Sequence, residues 1–143
     1  MLALSLLVAA MATMQNSYHG YPRSEFSVNG LQAVLVAPHS PAPNRPWIWR
    51  TEFFDHRPEL DLALLAKGFH LAYLDLQNGY GSPGALEQYS HFYRQMVNEH
   101  GLHRKVVLEG FSRGGLSAYN WASANPDKVM AIYADAPVCD FRS

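Results

Sequence analysis

"KVVLEGFSRGGLSAYNWASANPDK", residues 105–128, passes from a short β-branched apolar run into a helix-forming stretch through a serine flanked by glycines. Gly110-Phe111-Ser112-Arg113-Gly114 fits the pattern G-x-S-x-G, and Gly115 follows it. Glycine and serine are common, so the five letters alone say little. Their placement says more, because a preceding strand and a following helix are the context in which a serine sits on a strained strand-to-helix turn. The positions two residues either side must then be small, since a Cβ there would strike the adjacent strand or helix backbone. The turn lifts Oγ above the carboxyl end of a strand, where open α/β sheets bind their ligands. It also leaves the Arg113 N–H at a helix N-terminus, aimed where an oxyanion would form. Ser112 is therefore the candidate nucleophile, Arg113 a backbone oxyanion donor, and Gly110 and Gly114 the glycines of the bend. The plainer alternative is a serine that only caps the helix.

Working outward, "EFSVNGLQAVLVAP" reads as two β segments joined at Asn29-Gly30, a pair that favours a hairpin turn. "HSPAPNRP" is a proline-rich loop, and "WIWRTEFF" opens as a strand apolar enough for burial on both faces. "RPELDLALLAKGF" is a helix between Pro58 and Gly68. "HLAYLDL" is a further buried strand, "QNGYGSPG" a loop, and "ALEQYSHFYRQMVNEHG" a helix closed by Gly101. "KVMAIYADAPV" is the final strand. Strands alternating with helices after an opening hairpin predict an α/β fold, with a mainly parallel sheet covered on both faces.

At 143 residues the chain has the length of one domain. It is 48% apolar and 16% charged, a globular balance, and its net charge of −1 gives a nucleic-acid partner no electrostatic support. The single cysteine, Cys139, excludes an internal disulfide and reads as a small buried residue. No histidine pair has the spacing of a zinc motif, and neither a metal nor an organic cofactor is implied. Residues 1–15, "MLALSLLVAAMATMQ", are apolar but too short to span a bilayer. They read either as the remnant of an export signal whose start lies upstream or as a short apolar extension of the domain at 16–143. A periplasmic or extracellular location goes with the first reading, and a cytoplasmic one stays open with the second.

From about Phe26 to the end the chain resembles the N-terminal part of an α/β-hydrolase, of a bacterial, often exported, esterase or prolyl-oligopeptidase-like group. The likeness lies in "PWIWRTEFFDHRPELDLALLAKGFHLAYLDL", "EGFSRGGLSAYNWASANPDKV" and "IYADAPVCDF". It implies a nucleophilic turn after the fifth strand, here "KVVLEGF", and a second oxyanion N–H in the loop after the third, near Thr51 or Glu52. The His-Gly signature usual in that loop is absent. Arg50 is read either as a substrate contact or as half of a structural ion pair.

The resemblance also orders the triad as serine, acid, histidine. All seven histidines precede Ser112, and the chain stops at Ser143 just past the sixth strand. The expected histidine, and with it the acid, would lie beyond that point, so the reading expects a fragment, truncated after about six strands and inactive alone. Within the chain, Asp135 and Asp140 share the catalytic edge and are the candidate acids. His56 is the one histidine placed to approach the site, while His70 should point away. Asp75 should brace the loop that follows it. The implied activity is hydrolysis of a small-molecule ester or acylated substrate. A prolyl-oligopeptidase-type peptidase and a non-catalytic binding module with a hydrolase-like pocket are the alternatives. The oligomeric state is left unassigned.

Overall fold

Unbroken apolar runs become the inner strands, because a parallel strand covered on both faces has no solvent side on which to place polar residues. The computed structural model describes residues 17–140 and 142; the expectations for residues 1–15 fall outside them. In chain order the elements are β1 (Ser17–Tyr18), β2 (Tyr21–Val28), β3 (Leu31–Val36), β4 (Trp47–Arg50), α1 (Glu59–Ala66), β5 (His70–Leu74) and α2 (Pro83–Asn98). They continue with β6 (Val106–Phe111), α3 (Gly114–Ala124), a 3₁₀ turn at Pro126–Lys128 and β7 (Val129–Asp135).

The described strands form one sheet in the order β1-β2-β3-β5-β4-β6-β7. The β1–β2, β2–β3 and β3–β5 pairs are antiparallel, whereas β5, β4, β6 and β7 run parallel. Asn29 and Gly30 both have positive φ, 49° and 80°, as the tight turn of a hairpin demands. The chain leaves β4 toward the hairpin side through α1 and leaves β6 toward the opposite side through α3. The order therefore reverses between β4 and β6, and the crevice at their carboxyl ends is where such sheets hold ligands.

Side-chain alternation divides the core between the two faces. On one, Trp47, Trp49 and Leu108 pack under Tyr89, Phe92 and Met96 of α2 and Trp121 of α3. On the other, Val34, Val36, Ile48 and Leu71 pack against Leu65 of α1. Trp49 lies with its ring centroid 5.0–5.2 Å from those of Tyr89, Phe92 and Trp121, edge to face with each.

Two readings change. The sheet begins earlier than Phe26: His19 and Gly20, at φ 48° and 86°, make a second tight turn that pairs β1 with β2. Tyr18 is buried there against Phe54, 5.0 Å between rings, so an aromatic anchor turns a polar, turn-rich stretch into strand. The nucleophile strand is accordingly sixth among the described strands, one later than the count from the hairpin. Cys139 is exposed, because the chain leaves the sheet after β7 and nothing covers its side chain. At the outer side of β7, Met130 and Tyr133 are about half exposed, 48% and 45%.

Trp49→Ala should lower the unfolding free energy by about 3–5 kcal/mol, the range for emptying a large aromatic site in a core that relaxes only partly. Tyr119→Ala, at a position 39% exposed, should change it by less than about 0.5 kcal/mol. Urea unfolding of both variants reads the contrast.

Candidate active site

β6 ends at Phe111 and α3 starts at Gly114, so the chain must reverse within two residues. Ser112 takes the strain, with φ 51° in the left-handed region that side chains other than glycine rarely adopt. Its N–H donates to Asp135 O at 3.1 Å, and its carbonyl accepts from Gly115 N at 3.0 Å and Val138 N at 2.8 Å. With its backbone fixed on three sides, the side chain is left partly exposed at the carboxyl end of the sheet. No described side chain hydrogen-bonds its Oγ. The N–H groups of Arg113 and Gly114 open α3 without backbone acceptors among the described residues, as the first turn of a helix requires.

The glycines are required by contact. A Cβ on Gly110 would lie 3.0 Å from Gly115 Cα and 3.2 Å from Ala118 Cβ, the helix collision expected of it. Gly114 is different: its Cβ would meet Thr51 Oγ1 at 2.8 Å and Glu52 Cβ at 3.1 Å. What it makes room for is the loop after β4, not strand or helix backbone. Gly115 is pressed by Pro137 and Val138 in the segment after β7. Three segments thus close on one bend.

The two residues named for that loop, Thr51 and Glu52, are held differently. The β4–β6 ladder runs one residue past the strand, and the Thr51 N–H donates to Glu109 O at 3.1 Å. Thr51 is therefore not an available donor. Its hydroxyl lies 2.8 Å from Glu109 O and 2.9 Å from Gly114 O, pinning the loop to both sides of the bend, and Tyr89 donates to its carbonyl at 3.4 Å. The Glu52 N–H, by contrast, has no backbone acceptor among the described residues. The Glu52 carboxylate takes Arg113 Nη2 at 3.2 Å, and that guanidinium lies over the Phe53 and Tyr80 rings at 5.0 and 5.7 Å.

Arg50, for which the sequence leaves two readings, is a buried ion-pair residue. It meets Asp61 of α1 at 2.6 Å and Glu109 of β6 at 3.3 Å. It also donates to Glu52 O at 3.2 Å and to His56 O, so one buried cation sets the path of residues 52–56. Two carboxyls compete for it. Burial, then a shared proton with and repulsion from Asp61, push Glu109 up to about 8; Arg50 lowers it by less, being already engaged by Asp61, and Asp135 adds to the rise. The 3.3 Å contact with Arg50 therefore coexists with a carboxyl that burial and the neighbouring Asp61 hold above its usual range.

Asp135 ends β7 opposite Phe111 and lines a cleft of about 450 Å³ with Arg50, Arg57, Glu109 and Tyr133, on the α1 side of the sheet. Asp140 is bound to Arg142 at 2.7 Å, which holds its carboxyl below the usual range. The structure brings neither carboxylate into a hydrogen bond with a histidine among the described residues. The His56 ring lies 5.1 Å from that of Phe111, beside the bend but on the α1 side. His70 is buried at the opposite end of the sheet, its pKa pushed down to about 4 chiefly by burial, then by Arg45. Asp75 accepts the Tyr73 hydroxyl at 3.1 Å instead of bracing the following loop. Among the described residues no group of three or more His, Cys, Asp or Glu is placed to hold a metal, and no helix is long and apolar enough to cross a membrane.

Glu109 binds its proton more tightly folded than unfolded, so between its unfolded value near 4.5 and its folded value near 8 the native state holds the extra proton. Stability should therefore fall as pH rises from about 5 to about 8, and Glu109→Gln should flatten that slope, measured by urea unfolding across the window. Gly114→Ala should leave the fold intact but displace Thr51 and Glu52, seen as chemical-shift changes confined to residues 50–56 and 109–116.

The fold matches that of solved α/β-hydrolases. A membrane phospholipase A, described as a novel bacterial virulence factor, is 19% identical with a TM-score of 0.56, over 91% of this chain and 44% of that one. An acetyl xylan esterase from Aspergillus awamori is 15% identical with a TM-score of 0.62, over 77% of this chain and 50% of that one. A cold-adapted esterase from an Arctic intertidal metagenomic library reaches 0.65 at 9% identity, over 85% and 63%. The chain spans about half the length of these structures. No family model matches the sequence, and no curated protein does. At such identities the likeness carries the architecture alone: this chain has the α/β-hydrolase fold, from the opening hairpin through the strand that follows the serine bend.

Proposed function

We propose that the chain carries the nucleophile and oxyanion half of a serine hydrolase acting on carboxylic esters. The observation that carries this reading is the left-handed Ser112, partly exposed at a helix N-terminus beside N–H groups that lack backbone acceptors. In the proposed reaction Ser112 Oγ attacks the ester carbonyl, and the carbonyl oxygen becomes an oxyanion. The Arg113 and Glu52 N–H groups receive that charge, a contribution of about 3–4 kcal/mol to the barrier for one such donor. Collapse of the tetrahedral species, with the proton that a base took from the Ser112 hydroxyl passed to the leaving oxygen, expels the alcohol and leaves an acyl-serine, which water then cleaves. Esterases are among the similar structures, which supports an ester over an amide.

A serine hydroxyl needs a base to be nucleophilic at neutral pH. None of the seven histidines is hydrogen-bonded to Ser112 Oγ, so the 143 residues alone are proposed to be inactive. Neither Asp135 nor Asp140 is assigned as acid, since no described imidazole meets either.

A fluorophosphonate probe tests both parts. Protein made from the natural gene should be labelled at Ser112, and Ser112→Ala should abolish the labelling. The 143 residues by themselves should react at least about a thousandfold more slowly, the scale of loss when a catalytic histidine is removed. A folded natural product that takes no label would instead be a binding module, and equally fast labelling of the 143 residues would place a working base among them.

A further inference from the structure

At the foot of the sheet, remote from Ser112, a cleft of about 580 Å³ lies between the end of α2, the start of β6 and the 3₁₀ turn before β7. Arg94, Arg104, Lys105 and Lys128 line it, with His103, against a single carboxylate, Asp127. Outside the cleft, Arg23, Arg50, Arg113 and Arg142 each have a carboxylate within ion-pair distance, whereas Arg45, Arg57 and Lys67 are scattered singly and have none. The four in the cleft have none, although every Lys, Arg, Asp and Glu of the chain is described. Gathering like charges in one concavity disfavours the fold unless a ligand of opposite charge gains from it.

The cleft is shaped as well as charged. Tyr93 forms its wall, with its hydroxyl donating to Arg104 O at 2.5 Å and the Lys128 ammonium 5.5 Å from its ring centroid. Lys128 Nζ is steadied by Asn125 Oδ1 at 2.9 Å, which leaves two of its three protons to donate. His103 Nδ1 is held 3.1 Å from the backbone of Lys105, so Nε2 is its remaining ring nitrogen. Arg104 and Lys105 are exposed and make no side-chain hydrogen bond among the described residues. Two guanidiniums match the paired oxygens of a phosphate, and ammoniums add point charges around it. The cations converge on one concavity and not along an extended groove, and no row of aromatic faces lines it for bases to stack on, so a compact ligand fits better than a polymer.

We propose that this cleft binds a compact, multiply charged anion of the phosphate class, either a soluble polyphosphate or phosphomonoester or the headgroup of an anionic lipid. The site is separate from the serine bend and does not depend on the proposed chemistry there.

Calorimetric titration of the chain with inorganic tripolyphosphate at low ionic strength tests it, alongside co-sedimentation with phosphatidylcholine vesicles with and without phosphatidic acid. Saturable binding to tripolyphosphate, weakening as salt is added, supports a soluble ligand; binding only to phosphatidic acid vesicles assigns the same chemistry to a headgroup. In either arm Lys105→Glu should weaken binding at least about tenfold, since it turns a contact attraction into repulsion. Lys67→Glu makes the same change of net charge at an exposed site elsewhere and should alter affinity by less than about twofold. Circular dichroism confirms that both variants fold. No saturable binding to either probe, or equal weakening by Lys67→Glu, overturns the proposal.

Discussion

Ser112 sits where an L-residue is strained, and the rest of the site is arranged so that it cannot relax. A left-handed non-glycine residue costs about 1–3 kcal/mol and persists only where its surroundings over-determine it. Here they do. Three backbone hydrogen bonds hold the peptide units on either side of it, two of them from the segment around β7. Three glycines let that segment, α3 and the loop after β4 approach within distances that no side chain would allow. Relaxing the serine would mean separating all three, so the strain is retained and the hydroxyl stays at the surface.

The second constraint is buried charge. Arg50, 1% exposed, lies between a helix on one face of the sheet and the strand that carries the bend. Its remaining donors bind the carbonyls of Glu52 and His56 in the loop after β4. Removing one partner from a buried pair costs about 3–5 kcal/mol, because the other charge is left unsolvated. The loop is therefore tied to the sheet by an interaction that solvent does not readily replace. The Arg113–Glu52 pair over the same loop is different, since the arginine side chain is a third exposed. It contributes little to stability.

Much of this was legible in the residues, for identifiable reasons. "WIWR" and "VVLEGF" carry no polar alternation, so their burial on both faces follows from composition, and the two glycines of the bend follow from its geometry. The start of the sheet was harder to see. Pro22 and Arg23 make the first half of β2 look like a loop, and its pairing back to β1 is visible only once Tyr18 packs on Phe54, 36 residues away in sequence. Thr51 and Glu52 could not be separated because that depends on how far a ladder extends past the last apolar residue. Arg50 was ambiguous for a related reason. A polar residue ending a buried strand is either a ligand contact or a charge awaiting a partner, and Asp61 becomes that partner only once α1 folds back across the sheet.

The sheet is electrostatically uneven from end to end. Parallel βα units place helix N-termini at the carboxyl edge and helix C-termini at the foot, so some positive charge at the foot is expected as compensation for the helix dipoles. That compensation acts within the last turn and amounts to about half a charge per helix. Neither α2 nor α3 has a basic residue in its last turn. The cations of the foot come instead from the body of α2, the loop before β6 and the 3₁₀ turn, and they converge on a cleft rather than on a helix axis. Dipole compensation is therefore too small and wrongly placed to explain four unpaired cations, whereas a multiply charged anion seated among them would meet both the number and the position.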